Sequence, residues 1–386
     1  MIIRNGTIYD AIHEEPYVAD IVVRDGKIAA IGGKLPAVEG EEIIDAAGLR
    51  VYPGLVEAHC HVGLHVYGLP NADCDVNERN DITSAHLRAI DGFDPFDPGL
   101  RKALEAGVTT VGAGPGSASV VGGTFIAVKT AGTCVDDMLV KNDVAMKCAL
   151  GENPKNCYGG KCDSTRMSSA AKLRELLFAA KDYSEECLAA IAAAPEGEKP
   201  KMPKHNMKLA AMRPVMEGKI PLKIHAHRAD DICTAIRIAK EFGVKLTIEH
   251  CTEGHLIVKE LVRAGVPVAV GPSMTNASKI ELANKSFETP GILAKAGVQV
   301  SIITDAPVIV QEYLPLCAGL AVKAGMDPFA ALQAITINPA KHLGIEDRVG
   351  SIEAGKDGDL VIADGDIMVS DTKVKRVILN GETVVE

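Results

Sequence analysis

The sequence predicts an α/β protein with a TIM-like (β/α)8 barrel and a small β-sandwich domain formed from both termini. Two patterns carry this prediction. A central region alternates apolar strands with amphipathic helices, whereas both chain ends contain short β-prone segments. The chain has 386 residues, of which 47% are hydrophobic. That is enough for one large core and a smaller second unit.

The two ends of the chain, 1–52 and 346–386, resemble each other in composition. Asp25-Gly26, between two β-prone runs, is typical of a tight hairpin turn. We therefore expect the ends to combine into one β-domain beside the barrel. The β-prone segments are 1–9, 19–24, 27–31, 360–362 and 374–379.

The central region, 53–345, repeats a helix that ends at a glycine and runs directly into a strand. Glycine after the last helical turn favours helix termination. About eight such units predict a parallel barrel. The clearest helices are 98–106, 230–242, 254–264 and 291–296, which are followed by Gly107, Gly243, Gly265 and Gly297.

One irregular segment, at about 153–218, interrupts this repeat. It combines a helical stretch at 168–194 with a loop rich in Pro, Lys and Glu at 195–205. We interpret it as a helical insertion after a barrel strand. It is either a lid over the site or a plain surface excursion.

His59 and His61 end the first strand of the central region. Side chains at positions i and i+2 of a strand point the same way, so the two imidazoles present themselves to one point. Such a pair either binds a divalent transition metal or is satisfied by backbone and water.

Three further strands also end in metal-competent side chains. His225 and His227 share one face of the strand at 222–227, the strand at 246–250 ends at His250, and the strand at 298–304 leads to Asp305. Because chemistry in these barrels gathers at the carboxyl ends of the strands, the four ends together predict a metal site. Imidazoles with one carboxylate suit zinc foremost, or manganese or iron.

Lys147 lies on the predicted interior face of the strand at 144–150, where an unpaired charge would be costly. A carboxylated Lys147 bridging two metals resolves this, as does neutralisation by Glu152 or by a substrate carboxylate. Glu152 is itself an alternative bridging ligand. A third reading is that the Lys147 stem packs while its amine reaches solvent.

Composition excludes several other functions. The net charge of -10 without a basic block argues against nucleic acid or anionic membranes as partners. We find no signal-peptide pattern and no apolar run long enough to span a bilayer. The ten cysteines lack a paired framework, which predicts reduced thiols and a cytoplasmic setting. A small-molecule substrate is therefore expected.

These residues resemble the metal-dependent amidohydrolase superfamily, in its imidazolonepropionase-like or prolidase-like branch, over nearly the whole chain. Two motifs are especially specific for this family although they contain no proposed catalytic or metal-binding residue. They are TINPAK at 336–341 and GSIEAGKDGDLVI at 350–362. The other matching segments are PGLVEAHCH at 53–61, HAH at 225–227, EH at 249–250 and TD at 304–305.

The resemblance implies one or two metal ions and suggests a homo-oligomer. It implies that His59 and His61 hold the more buried metal, and that His225 and His250 hold a second metal or contact the substrate carbonyl. Asp305 would bind metal and move a proton.

The expected reaction is hydrolysis of a C–N amide bond in a lactam, an N-acyl amino acid or a dipeptide-like substrate. Asp305 would act as general base and then acid, with His250 polarising the carbonyl. We expect His227, Arg228 and Tyr158 to contact substrate, although a surface salt bridge explains Arg228 equally well.

Three other interpretations remain to be weighed against hydrolysis of an amide. One is a deaminase of an amino-substituted ring that uses the same site. Arg228 stands where cytosine-deaminase-like relatives carry a proton-shuttling glutamate, and this counts against a nucleobase substrate. A non-catalytic relative is disfavoured because every ligand position is filled. A purely structural site is usually rich in cysteine, which this set is not.

Overall fold

The computed structural model of the protein describes residues 1–67 and 74–386. Within these residues it contains two eight-stranded sheets. One sheet is a nearly closed barrel, and the other is assembled from the two termini. The predicted fold class is therefore confirmed.

The barrel strands follow one another around the wall in chain order, and seven of them run in the same direction. The exception is β8, which runs antiparallel to both of its neighbours. At this point of the barrel an antiparallel strand takes the place of one expected helix. The strands are β6 (Leu55–Cys60), β7 (Val108–Ala113), β8 (Val121–Lys129), β9 (Leu139–Ala149), β10 (Leu222–Ala226), β11 (Leu246–His250), β12 (Val268–Val270) and β13 (Val300–Ile302).

A short segment completes the wall between the first and last barrel strands. Ile302 N donates a hydrogen bond to Ala334 O at 2.8 Å, and Val56 N donates to Ile335 O at 2.9 Å. Nearly every residue of the barrel strands is buried, as expected where strands are covered on both faces.

Eleven α-helices are described, and most of them cover the outside of the barrel. The predicted glycine stops are observed at Gly243 and Gly265, which adopt φ of 66° and 63°. None of the described helices combines the length and apolar character needed to cross a bilayer. They are α1 (Pro98–Glu105), α2 (Val135–Met138), α3 (Glu152–Tyr158), α4 (Arg166–Ala193), α5 (Met207–Met216), α6 (Ala229–Phe242), α7 (Val258–Ala264), α8 (Thr289–Lys295), α9 (Leu314–Lys323), α10 (Pro328–Gln333) and α11 (Ile337–Leu343).

The terminal sheet joins both ends of the chain, because β14 pairs antiparallel with β5. Strand β1 pairs with β2 on one side and with β4 and β5 on the other, so this single sheet branches at β1. Its core combines Ile3, Ile21, Leu360 and Ile378. The strands are β1 (Ile2–Ile8), β2 (Tyr17–Arg24), β3 (Lys27–Gly32), β4 (Ile43–Asp45), β5 (Arg50–Pro53), β14 (Leu360–Ala363), β15 (Val374–Leu379) and β16 (Glu382–Val385).

The segment predicted as a helical insertion contains α3, α4 and α5, between β9 and β10. Leu173 and Leu177 of α4 pack in the same core as Leu222 and Ile224 of β10. Arg174 of α4 also lies 2.8 Å from Glu241 of α6. The segment therefore supplies part of the helical layer on the outer wall of the barrel.

Candidate metal centre

The four strand ends singled out in the sequence come together inside the barrel. One ligand atom each of His59, His250 and Asp305 lies within 4.8 Å of the others, and the same holds for His225, His227 and His250. His61 joins the first group because its Nε2 is 3.3 Å from Asp305 Oδ1. His250 belongs to both groups, so the two candidate positions are adjacent.

Three of the imidazoles, those of His61, His227 and His250, have Nδ1 in contact with an oxygen atom and Nε2 facing the cluster. His61 Nδ1 lies 2.7 Å from Gly114 O, His250 Nδ1 lies 2.9 Å from Gly271 O, and His227 Nδ1 lies 2.7 Å from Thr252 Oγ1. The two carbonyl contacts place a proton on Nδ1 of His61 and His250 and leave Nε2 as a free lone pair, the form that binds metals, whereas the Thr252 hydroxyl can pair with either tautomer of His227.

Buried polar atoms at the centre that have no hydrogen-bond partner among the described residues include His225 Nδ1, His250 Nε2 and Asp305 Oδ1. Burial lowers the pKa of His59, His225 and His250 well below the usual value, so they are neutral. Neutral imidazoles, a carboxylate and unsatisfied buried atoms fit a divalent metal ion.

The backbone at two of these positions adopts an uncommon conformation. His250 has φ of 73° and Asp305 has φ of 55°, in a region that costs a side-chain-bearing residue on the order of 1–3 kcal/mol. Both lie just at or beyond the end of a strand. This backbone conformation turns both side chains toward the other strand ends. Strict strand alternation would instead point His250 away from the face that holds Glu249.

Lys147 lies within the same cluster. It is fully buried, and its Nζ is 3.1 Å from His59 Nε2 and 5.6 Å from the centre of the Phe125 ring. Burial lowers its pKa to about 8, despite the opposing effect of Asp305 and Glu249. The stem therefore does not carry the amine to solvent, which was one of the sequence-based interpretations.

Glu152 is the alternative bridging residue, and it belongs to neither metal-competent group. It is the first residue of α3, and its backbone N donates to Glu281 Oε2 at 3.0 Å. It lines a separate cavity of about 530 Å³ with Asn156 and Lys279. The structure thus brings Lys147, and not Glu152, to the histidines.

Two residues predicted to contact substrate are engaged elsewhere. Arg228 donates from Nη2 to Asp230 Oδ2 at 2.9 Å on the surface, which is the salt bridge that the sequence left as an alternative. Tyr158 is buried, and its hydroxyl donates to Glu78 O at 3.1 Å and contacts Ser119 Oγ at 3.1 Å. Of the three predicted substrate contacts, only His227 lies with the metal-competent side chains.

Sequence reasoning missed a buried polar network beneath the cluster. Glu249 Oε2 lies 3.0 Å from His59 Nδ1 and 2.7 Å from Lys223 Nζ, and its other oxygen is 2.8 Å from His342 Nε2. Burial alone would raise the pKa of Glu249, but Lys223 and His342 hold it well below its usual value. A signal for Lys223 was available, since it is two residues before His225 on the same strand face.

Glu281 was also missed, and no local pattern would have revealed it. It lies in a 3-10 turn (Ile280–Leu282) after β12, is fully buried, and places Oε1 3.7 Å from His227 Nε2 and 3.9 Å from His225 Nε2. Lys279 Nζ lies 2.8 Å from the same oxygen. The Glu281 carboxylate therefore lies beside His225 and His227, on the side of the cluster away from His59.

A barrel with metal-competent histidines and an aspartate at its strand ends is the arrangement of the amidohydrolase family. The sequence pattern of that family matches residues 50–384, so the chain belongs to the amidohydrolase family. The crystal structure of an amidohydrolase from Thermotoga maritima MSB8 superimposes with a TM-score of 0.94 and is 39% identical, covering 100% of this chain and 99% of that one.

Two curated relatives differ in length from this chain. It is 28% identical over 373 residues to amidohydrolase tasK of Hapsidospora irregularis, a match that covers 91% of this chain and 38% of that protein. The chain therefore spans less than half of that relative. It is 24% identical over 406 residues to a dihydroorotase of Geobacter sp. (strain M21), with coverage of 94% and 89%.

Proposed function

We propose that this protein is a metal-dependent hydrolase that cleaves a C–N amide bond in a small molecule, either a lactam, an N-acyl amino acid or a dipeptide-like compound. The convergence of His59, His250 and Asp305 within 4.8 Å carries the proposal. Family membership and the name amidohydrolase of two similar proteins support amide hydrolysis.

His59, His61 and Asp305 would hold one divalent ion, with zinc as the first choice. His225 and His250 would hold a second, with His227 beside them. When bound here, the metal would polarise the amide carbonyl and lower the pKa of the attacking water. If only one ion is held, His250 Nε2 is free to contact the carbonyl oxygen.

Asp305 is the proposed proton carrier. Burial would raise its pKa, but contact with His61 and His59 and the charge of Lys147 hold the pKa below the ordinary value. The carboxylate is therefore ionised near neutral pH and able to accept the proton of the attacking water. It then returns that proton to the leaving nitrogen.

Lys147 is the proposed bridging residue when two ions are bound. Because burial lowers the pKa of Lys147 to about 8, part of the amine is neutral near neutral pH. A neutral amine adds to carbon dioxide, forming an N–C bond and releasing one proton, and the product is an anionic carbamate. That anion would replace an unpaired buried ammonium, which is unfavourable next to neutral imidazoles.

The substrate would lie between the histidine cluster and Glu281, with His227 Nε2 able to contact it. Arg228 would have to leave Asp230 to take part, and Tyr158 would have to leave Ser119 and Glu78. His227 is therefore the substrate contact that the geometry supports best.

The test is a substrate panel run on zinc-reconstituted protein and on the Asp305→Asn variant. It contains ring amides, N-acyl amino acids, dipeptides and amino-substituted rings, with ring opening, free amine and ammonia measured separately. Turnover of any amide class that is lost in the variant supports the proposal. Ammonia release from ring substrates alone would indicate the deaminase alternative, and no turnover of any class would contradict both.

A further inference from the structure

The inserted segment between β9 and β10 brings one side chain to the candidate metal centre. Asn153, the second residue of α3, is half-buried, and its Nδ2 lies 3.5 Å from His225 Nε2. His225 belongs to one of the two metal-competent groups. The insertion therefore reaches the histidine cluster through the Asn153 amide.

The Asn153 amide is anchored on both sides, and its contacts fix which way it faces. Lys279 Nζ donates to Asn153 Oδ1 at 2.7 Å, and Asn153 Nδ2 donates to Ser117 Oγ at 2.7 Å. Because an ammonium group only donates, the amide oxygen must face Lys279 and the amide nitrogen must face Ser117 and His225. Ser117 follows β7 and Lys279 follows β12, so segments after three barrel strands set the position of the amide.

Glu281 and Gly151 hold the backbone that carries Asn153. Glu281 Oε2 accepts a hydrogen bond from Glu152 N at 3.0 Å, and its Oε1 accepts one from Lys279 Nζ at 2.8 Å. Gly151 has φ of 89°, and a Cβ at this position would lie 2.8 Å from Glu281 Oε2. Glycine therefore permits the close approach, and Glu281 joins the Asn153 backbone and the Lys279 anchor in one closed set of contacts.

One N–H of the Asn153 amide has no short contact among the described residues. The amide nitrogen carries two hydrogens, and Ser117 Oγ accepts one of them. The other is left for the side of His225, where the separation of 3.5 Å is too long for a strong hydrogen bond. Asn153 thus presents a fixed, neutral donor to the space beside the metal-competent histidines.

We propose that Asn153 Nδ2 donates this N–H to the carbonyl oxygen of the scissile amide. The proposal rests on the proposed function. As the water oxygen adds to the carbonyl carbon, the π pair of the C=O bond moves onto the carbonyl oxygen, and Asp305 takes the proton of the water. The pair returns when the C–N bond breaks and the proton passes to the nitrogen. A fixed donor stabilises the charge that develops on the oxygen.

Two substitutions of Asn153 separate donation from anchoring. Asn153→Asp keeps the shape of the side chain and still accepts from Lys279 and Ser117, but it has no N–H to donate. Asn153→Ala removes the donor without adding charge. Both should lower kcat on an amide substrate by about 10²–10³-fold with little change in KM. Asn156→Ala is the matched control, because Asn156 is an exposed residue of the same helix, and its kcat should equal that of the parent.

A second readout requires no turnover. Methylphosphonate, a tetrahedral oxyanion, should bind the cobalt-substituted protein and shift its visible absorption band. Both Asn153 variants should weaken this binding about tenfold or more, while metal content by elemental analysis stays equal to that of the parent. If the protein hydrolyses no amide, the proposed function fails, and the methylphosphonate titration still tests the donor.

Three results would overturn the role of Asn153 as a donor. The first is no binding of methylphosphonate to the parent, or equal binding by Asn153→Ala and Asn156→Ala. The second is weaker binding in Asn153→Asp alone, which would reflect charge repulsion. The third is loss of metal from Asn153→Ala, which would make Asn153 a positioning residue for His225.

Discussion

His59 Nδ1 lies 3.0 Å from Glu249 Oε2, and both side chains are fully buried. Lys223 and His342 also contact this carboxylate and fix its position. Glu249 therefore holds the His59 ring in a defined orientation. Nε2 of His59 then points to the side of Asp305, from which it is 3.5 Å. A carboxylate behind a ligand imidazole fixes the tautomer and strengthens the ligand.

We therefore predict that Glu249→Gln weakens metal binding about 10–100-fold. The measurement is zinc affinity by competition with a coloured chelator. Glu241→Gln removes a surface carboxylate paired with Arg174 and should leave the affinity unchanged. Equal affinities in both variants would show that Glu249 does not orient His59.

Asp305→Asn should lower kcat by about 10²–10⁴-fold, because an amide neither accepts the proton of water nor returns it to the leaving nitrogen. Metal content by elemental analysis should remain substantial, since the histidines are unchanged. Full activity in this variant, once a substrate is found, would remove Asp305 from the proton chemistry.

Lys147→Ala should reduce the metal bound per chain, and millimolar propionate should restore part of it by supplying a carboxylate in the vacated space. Glu152→Gln is the matched comparison, because Glu152 lies outside both metal-competent groups. Elemental analysis with and without propionate gives the result. If Glu152→Gln loses metal and Lys147→Ala does not, the bridging role belongs to Glu152.

A buried ion cluster joins the barrel to the terminal sheet, and it predicts a pH dependence of stability. Lys129 at the end of β8 lies 2.9 Å from Asp357, which also contacts Lys27 and Arg348. Burial opposes ionisation, yet these three cations lower the pKa of Asp357 to about 2. Its contribution is therefore complete above about pH 4 and is lost as the pH falls toward 2.

Asp357→Asn should lower the free energy of unfolding by about 2–3 kcal/mol at pH 7, the amount that corresponds to a pKa lowered to about 2. Urea unfolding of the parent and the variant between pH 7 and 2 should show the difference shrinking below pH 4. Asp364→Asn removes an exposed partner of Lys375 and should leave the free energy of unfolding close to that of the parent. A difference that is independent of pH would contradict the role of ionised Asp357.

The sequence by itself determined the barrel, the terminal sheet and most of the metal-competent set. Strand-end histidines such as His225 follow from local alternation, and glycine stops such as Gly243 follow from helix termination, so both are visible in short windows of sequence. The antiparallel return of β8 was not visible, because strand direction depends on pairing partners that are distant along the chain.

Only the tertiary structure decided which polar residues share the site. Glu249, His342 and Glu281 come from three separate parts of the chain, and no spacing rule relates them to His59. The tertiary structure also places Arg228 in a surface salt bridge and Lys147 in the histidine cluster. Strand alternation is compatible with more than one position for each residue, whereas burial and interatomic distances distinguish between them. Local geometry therefore specifies which elements form, whereas the closure of the barrel specifies which side chains meet.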